Sequence, residues 1–393
     1  MKLLTLVIPS YNAEAFLRRC VERMTPAGPE VDILIVDDGS TDGTPAIADA
    51  LAAEHPENVR VIHQENGGHG EGLNQGIRCA EGIYLKSVDA DDRIDTESLK
   101  TLVALLREHA EPGTWADLVV NDYVYDHTDR ENVFQVRYNH VFHKNRVDTW
   151  ETCHRFPIWK QFMIHSLCYR VALLREHGYE LPKHTFYEDN LYIYQPLPWV
   201  QRILYLPCPL YGYTIGQENQ SVSQKNILRR MDQNTRMVTR MICTWKWDEI
   251  SRLPRNLRGY MVSFLSGQIL AVTVLHESAN NEESREMNRA MWEEIRAFDP
   301  ELCRRLRRYP SAAIITLPGP AFRRLVFRIS RMAQKQIGFT CEGTEIPGIY
   351  PDGTEAEKPS GDAPGPTDRQ KNSKKRGGQQ HAGDGRHPVH RSQ

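Results

Sequence analysis

No two of the eight cysteines are close enough to form a CxxC pair, and their scatter outlines no disulfide framework. Reduced thiols in a cytoplasmic protein are the expected state. Nowhere do eighteen apolar residues run uninterrupted, so no membrane-spanning helix is expected. The opening run Leu3–Ile8 stops at Pro9 and a polar turn, with no small-residue cleavage site. It reads as a buried strand rather than a signal peptide. Leu302–Cys341 contains no Asp or Glu, yet carries eight Arg and one Lys. Glu342–Gln393 has almost no large apolar residue and reads as a disordered tail. There is no internal repeat.

What remains is an acidic body, with 32 basic and 43 acidic residues over Met1–Glu301. That balance disfavours nucleic acid as a partner. The basic strip over 302–335, including an amphipathic stretch Arg323–Met332, suits peripheral contact with an anionic inner membrane face, or a solvated helix packed on the body. At 393 residues, 40% of them hydrophobic, the chain can bury a large core around an enclosed site.

Continuous apolar runs at Leu3–Ile8, Val31–Val36, Val59–His63, Ile83–Val88 and Asp117–Asn121 predict strands buried on both faces. Helical periodicity lies between them. Phe16, Leu17, Cys20, Val21 and Met24 recur on one face after a possible Asn12 cap, and Thr44-Pro45 opens a second helix. Helices are also predicted around Leu73–Ala80 and over Thr96–His109. The alternation indicates an α/β sandwich with a mainly parallel central sheet. Short strands at Val133–Val136, Arg202–Leu206 and Leu210–Thr214 would complete it. Lys225 to about Phe298 is helical, with a break at Pro254.

In such sheets ligands gather beyond the carboxyl ends of the strands. Four polar loops fall there: Ser10-Tyr11-Asn12, Asp37-Asp38, Asn66-Gly67-Gly68 and Asp89–Asp92. Asp89 and Asp91, two apart on an extended segment, can face one hard cation such as Mg²⁺ or Mn²⁺. Alone, the same residues could equally be an acidic turn capping the Thr96 helix.

Taken together, Leu6–Asn12, Ile35–Thr44, Asn66–Gly76 and Gly82–Asp92 resemble the family 2 glycosyltransferases in order and spacing. The resemblance is specific over Leu3 to about Ile94 and looser to about Ser223. It implies the GT-A fold and a nucleotide-sugar donor, commonly a UDP-sugar. By that resemblance Pro9 and Tyr11 line the nucleobase pocket, and Asp38 accepts a hydrogen bond from the base. Asp89 lies near ribose and metal, and Asp91 holds Mg²⁺ or Mn²⁺ on the diphosphate. Phe186–Tyr192 resembles the segment whose carboxylate, Asp189 here with Glu188 as the alternative, deprotonates an acceptor hydroxyl. A single base opposite the leaving group implies inversion at the sugar carbon. The acceptor would be a glycan or lipid-linked sugar in cell-surface polysaccharide or glycolipid synthesis.

Two departures stand out. Leu73 precedes Asn74 where the family often has arginine, and Thr214-Ile215 follow the Tyr211-Gly212-Tyr213 segment where another arginine is usual. His69 would contact donor or be an ordinary loop histidine. Trp150, Trp159, Phe162 and His165 would form a sugar-stacking wall or belong to the core. The expected organisation is a GT-A domain over 1–223, with a donor half to about 121 and an acceptor half to 223. A helical extension over 224–341 and the tail 342–393 would follow. A non-catalytic sugar-nucleotide or glycan-binding protein of the same fold is the competing reading. A nucleotidyltransferase would want a glycine-rich loop with Arg and Lys after the first strand, where Pro9-Ser10-Tyr11-Asn12 stands instead.

Overall fold

The computed structural model describes residues 1–309, apart from 112, 128–133, 145, 158–159, 216–223 and 280. Trp159, the Glu218–Ser223 segment, the Arg323–Met332 stretch and the 342–393 tail therefore lie outside the described residues.

The first half alternates as the apolar runs predict: β1 (Leu4–Ser10), α1 (Leu17–Glu22), β2 (Val31–Asp37), α2 (Thr44–Glu54), β3 (Val59–His63), α3 (His69–Cys79) and β4 (Tyr84–Ser87). A two-residue β5 (Arg93–Ile94) and α4 (Thr96–Glu108) lead to the long β6 (Leu118–His127). Then come β7 (Phe134–Val136), β8 (Val147–Asp148), β9 (Leu167–Arg170), α5 (Val171–Glu176), α6 (Asp189–Tyr194) and β10 (Ile203–Ile215). The sheet order is β3-β2-β1-β4-β9-β6-β10-β5, with β7 on β6 and β8 on β10. The β3-β2-β1-β4 block is parallel, as is the β6-β10 pair. Between them β9 runs antiparallel to both neighbours, so the sheet is mixed around a parallel core.

The parallel block reads as uninterrupted hydrophobicity because both faces are covered: Leu6, Val7, Ile33, Leu34, Ile35 and Val36 are fully buried. α3 crosses β1 with almost no space between them. A Cβ at Gly76 would lie 2.5 Å from a Val7 methyl, so only glycine allows this approach. Beneath the acidic end of β4, Lys86 is wholly buried. Its ammonium donates to Asn121 Oδ1 (2.9 Å) and the His165 carbonyl (2.7 Å). Burial pushes it below the ordinary lysine value.

The helical part comprises α7 (Gln224–Arg229), α8 (Met231–Ile242), α9 (Trp247–Arg252), α10 (Arg255–Ala279), α11 (Glu282–Phe298) and α12 (Pro300–Arg308). It packs directly on the sheet domain: Tyr194 stacks on Phe264 with ring centres 5.9 Å apart, and Tyr260 lies 5.1 Å from Phe162. Over Arg255–Glu277, α10 is long and apolar enough to cross a membrane, with mean hydropathy 1.3. Half of that window is buried inside the protein. Gly259, Ser263, Ser266 and Gly267 interrupt its apolar run, which is why a search for unbroken apolar stretches passes over it.

Candidate active site

The four polar loops converge and are cross-linked. Asn12, in a left-handed conformation (φ 50°), accepts from the Thr41 N–H at 2.9 Å through Oδ1 and donates its own N–H to Ser40 Oγ at 3.0 Å. It therefore ties the first loop to the second instead of capping α1, which starts later, at Leu17. Pro9 is half-buried at the end of β1, and Tyr11 beside it is 55% exposed, its ring free to meet a ligand.

Asp38 is buried, and its carboxylate already accepts three hydrogen bonds. They come from Gln64 Nε2 (2.7 Å), the Gly67 N–H (2.7 Å) and the Gly68 N–H (2.8 Å). The first task of Asp38 is thus to hold the third loop in place, leaving about one lone-pair site for a base. Gly68 has φ 82°, the left-handed region that glycine enters without strain, and the chain turns there directly into α3.

α3 begins at His69, four residues earlier than its apolar pattern predicts. That start places the His69 ring between two acids far apart in sequence. Nδ1 lies 2.7 Å from Glu188 Oε1, and Nε2 lies 3.2 Å from Asp89 Oδ1. Burial works against charge on this ring, but hydrogen bonds to Asp89 and Glu188 prevail and hold its pKa well above the usual histidine value. The ring is an imidazolium at neutral pH and donates to both carboxylates.

The acidic strand end is organised by β10. The Tyr211 hydroxyl donates to Asp92 Oδ2 (2.6 Å) and accepts from the Asp89 N–H (3.1 Å), while the Thr214 N–H donates to Asp92 Oδ1 (2.9 Å). Asp92 is thus a framework residue. Burial and then repulsion from Asp89 and Asp91 raise its pKa well above the ordinary range. Burial also raises Asp89, but His69 outweighs it and keeps that carboxylate ionised. Asp91 makes no side-chain hydrogen bond to another described residue. Burial, then Asp89, push its pKa up. Asp89 and Asp91 therefore present hard oxygen donors, with His69 the neighbouring cation on Asp89.

α3 also fixes the second acidic segment. Asn74 clamps the Leu181 backbone, donating to its carbonyl at 2.9 Å and accepting from its N–H at 2.8 Å. The His184 N–H donates to the Gly67 carbonyl at 2.7 Å. His184 (φ 49°) and Tyr187 (φ 69°) adopt left-handed conformations uncommon outside glycine, and the turn they make delivers Glu188 and Asp189 to the start of α6. Glu188 is buried and committed to His69. Asp189 is half-buried, and its neighbour Asn190 donates to it at 3.2 Å. Burial, then the adjacent Glu188, push its pKa up to about 7. Asp89 acts on Asp189 electrostatically, and Tyr213 lies within reach of Asp89, Asp92 and Asp189 together. Through His69 the two acidic segments meet in one acidic site.

Two features escaped sequence reasoning. The His69 bridge joins residues 119 positions apart, which no local pattern reveals. The Tyr211 clamp lies in a segment whose resemblance assigned no role. The aromatic wall resolves differently from a stacking surface: Trp150, Phe162 and His165 are buried at 2%, 0% and 3% exposure. Trp150 donates to the Val200 carbonyl at 2.8 Å, and His165 stacks within 4.9 Å of Tyr211. They are core residues: His165 packs on Tyr123 of β6 and Tyr211 of β10, Phe162 on Tyr260 of α10, and Trp150 on Phe156.

A mixed α/β sheet with acidic loops beyond the carboxyl ends of its parallel strands is the architecture of the GT-A glycosyltransferases. Residues 5–167 match the model of glycosyl transferase family 2. It is 37% identical over 138 residues to "Glycosyltransferase GlyG" of Streptococcus pneumoniae, covering 34% of this chain and 44% of that one. It is 27% identical over 228 residues to "Glycosyltransferase GlyA" of the same organism, covering 56% and 31%. The chain thus spans less than half the length of these curated relatives. Among solved structures, the first 349 residues of TarS from S. aureus share the GT-A fold, with a TM-score of 0.59 and 20% identity over 86% of this chain and 92% of that one. The same TarS segment has also been solved in complex with UDP-GlcNAc, with a TM-score of 0.58, 19% identity and coverage of 84% and 92%.

Proposed function

We propose that the protein is an inverting glycosyltransferase that moves a sugar from a UDP-sugar to a hydroxyl of a glycan or lipid-linked acceptor, with Asp189 as the base. One observation carries this reading. His69 lies within hydrogen-bonding distance of both Asp89, on the side proposed for the diphosphate, and Glu188, next to the proposed base Asp189, which supports a site where donor and acceptor meet.

Tyr11 offers an exposed aromatic face for the base, bordered by Pro9 and the Asp38-held loop. Asp89 and Asp91 supply the oxygen donors that Mg²⁺ or Mn²⁺ takes when substrate phosphates complete its shell. Among the described residues no cluster of three or more such side chains forms a closed protein cage, and the phosphate-completed arrangement does not need one. A divalent ion held there supplies positive charge against the leaving diphosphate. Asp189 accepts the acceptor hydroxyl proton as the new bond forms between acceptor oxygen and anomeric carbon. The bond from that carbon to the diphosphate oxygen breaks, and its electron pair leaves with the nucleotide. A pKa near 7 suits this task, because the carboxylate is available at neutral pH yet basic enough to take a proton. Attack from the face opposite the leaving group inverts the sugar carbon.

The test is a thermal-shift screen of UDP-, GDP- and dTDP-sugars, with and without Mn²⁺, followed by detection of released nucleotide. A UDP-sugar should raise the Tm only with the metal, and UDP should accumulate. A sugar nucleotide that binds with no turnover under any acceptor or hydrolysis condition would favour the binding-protein alternative.

A further inference from the structure

A cavity of about 320 Å³ is lined by Arg155–Pro157, Lys160 and Gln161 together with the first turns of α10, and none of its lining residues belongs to the acidic site. Its described lining includes four cationic side chains, Arg155, Lys160, Arg255 and Arg258, and no carboxylate. That is contrary to the average for a body in which acids outnumber bases by eleven over Met1–Glu301. Elsewhere Arg18, for example, is paired with Glu54 at 2.8 Å. Here Arg155, Lys160 and Arg255 have no ion-pair partner among the described residues. Arg258 donates to the Ser251 carbonyl at 2.6 Å and keeps its charge. Lys160 lies 5.5 Å from the centre of the Tyr138 ring. Burial lowers its pKa against a smaller pull from Asp122, whose Oδ1 is already taken by the Tyr138 N–H and the Tyr205 hydroxyl. Arg305, 3.9 Å from the centre of the Trp247 ring, adds positive potential beside the cavity, although Glu301 binds it at 2.6 Å. The first turn of α10 carries no acid to offset this charge.

We propose that this cavity binds an organic phosphate. Arg155, Lys160 and Arg255 take the oxyanion, and the carbon body lies against Phe156 and Trp247. Several convergent cations exceed what one carboxylate neutralises. They match a phosphate ester, whose oxygens accept guanidinium forks and an ammonium together. An organic ester suits the site better than a bare ion, since the partly exposed Trp247 offers apolar surface that inorganic phosphate leaves uncovered. The phosphate could come from a soluble sugar or polyol phosphate, or from a phospholipid headgroup.

The experiment uses the full chain. Glycerol 1-phosphate and inorganic phosphate are titrated calorimetrically, and flotation is measured with phosphatidylcholine vesicles with and without phosphatidylglycerol. Arg155→Gln and Arg255→Gln, both at exposed positions, and their double variant are compared with Arg18→Gln, which breaks a pair elsewhere. Each cavity variant should weaken binding on the order of tenfold, with the double weaker still. Arg18→Gln should bind as the parent does. Binding of glycerol 1-phosphate that exceeds inorganic phosphate and is lost in the double variant supports a soluble ester. Flotation on phosphatidylglycerol alone, lost in the same variant, supports the lipid source. No binding of either kind, or binding unchanged in the double variant, overturns the proposal. The Tm shift given by the nucleotide sugar is measured in parallel, so failure here is distinguishable from failure of the transferase reading.

Discussion

Replacing Asp189 by asparagine should abolish turnover and at the same time stabilise the fold, increasingly above about pH 4 and fully from about pH 7 upward. The native pKa of Asp189 is raised from 3.8 to about 7 by burial and by Glu188. A carboxylate whose pKa is higher folded than unfolded binds its proton more tightly in the native state. Its contribution to stability is therefore intact below about pH 4, is lost progressively as pH rises toward 7, and is a constant penalty above that. The ceiling on this penalty is ~4 kcal/mol. Because the side chain is half-buried and water screens it, about 1–2 kcal/mol is the realistic size. The uncharged amide never carries it. Above about pH 8 the variant should melt roughly 2–6 °C higher than the parent, and near pH 4 the two should coincide. Turnover should fall by roughly 10²- to 10⁴-fold, with donor affinity retained, since the proposed donor contacts are Pro9, Tyr11, Asp38, Asp89 and Asp91. Calorimetric melts across pH, with steady-state kinetics, check both halves. Turnover close to the parent's would refute the base assignment. A Tm gain equal at acid and alkaline pH would refute the electrostatic argument.

Asp91→Asn should weaken Mn²⁺-dependent binding of UDP by at least about tenfold, since one of two oxygen donors loses its charge, as read by calorimetry with and without the metal. His69→Gln keeps hydrogen-bonding capacity but removes the cation that holds Asp189 down. The acid limb of its pH–rate profile should therefore move to higher pH; a limb that stays in place would show that His69 does not act on the base. Truncation after Tyr309 removes the basic 310–335 segment and spares α12, whose Leu302 and Leu306 are buried. Unchanged flotation of this variant on anionic vesicles would show that the 310–335 part of the strip does not contact membrane.

How far the sequence reaches depends on whether the deciding interaction is local. β1 to β4 are legible because a strand covered on both faces must be apolar throughout, and their acidic and glycine-rich ends stand out against that background. α3 is misread at its start. Gly70 and Gly72 are poor helix formers, and their presence answers to close packing rather than helix propensity. β10 reads as two strands, since Pro207 and Pro209 interrupt its pattern. In the fold the register to β6 shifts around Pro209, and the strand continues past it. β9 is too short to register, yet it joins the two parallel blocks. The resemblance names Asp89 and Asp189 as site residues, but their relation to each other rests on His69, which is legible only in three dimensions.

The closeness of α3 to β1 has a consequence for how variation spreads through this molecule. His69 and Asn74 ride on a helix seated directly on a sheet strand, with Gly76 over Val7 and no compressible layer between them. Adding one methyl at Gly76, in the hydrophobic interior and two turns away from His69, has to lift that helix. The displacement would be felt first where its leading turn meets Glu188. A defect that looks like damaged chemistry can therefore originate at a position carrying no chemistry at all.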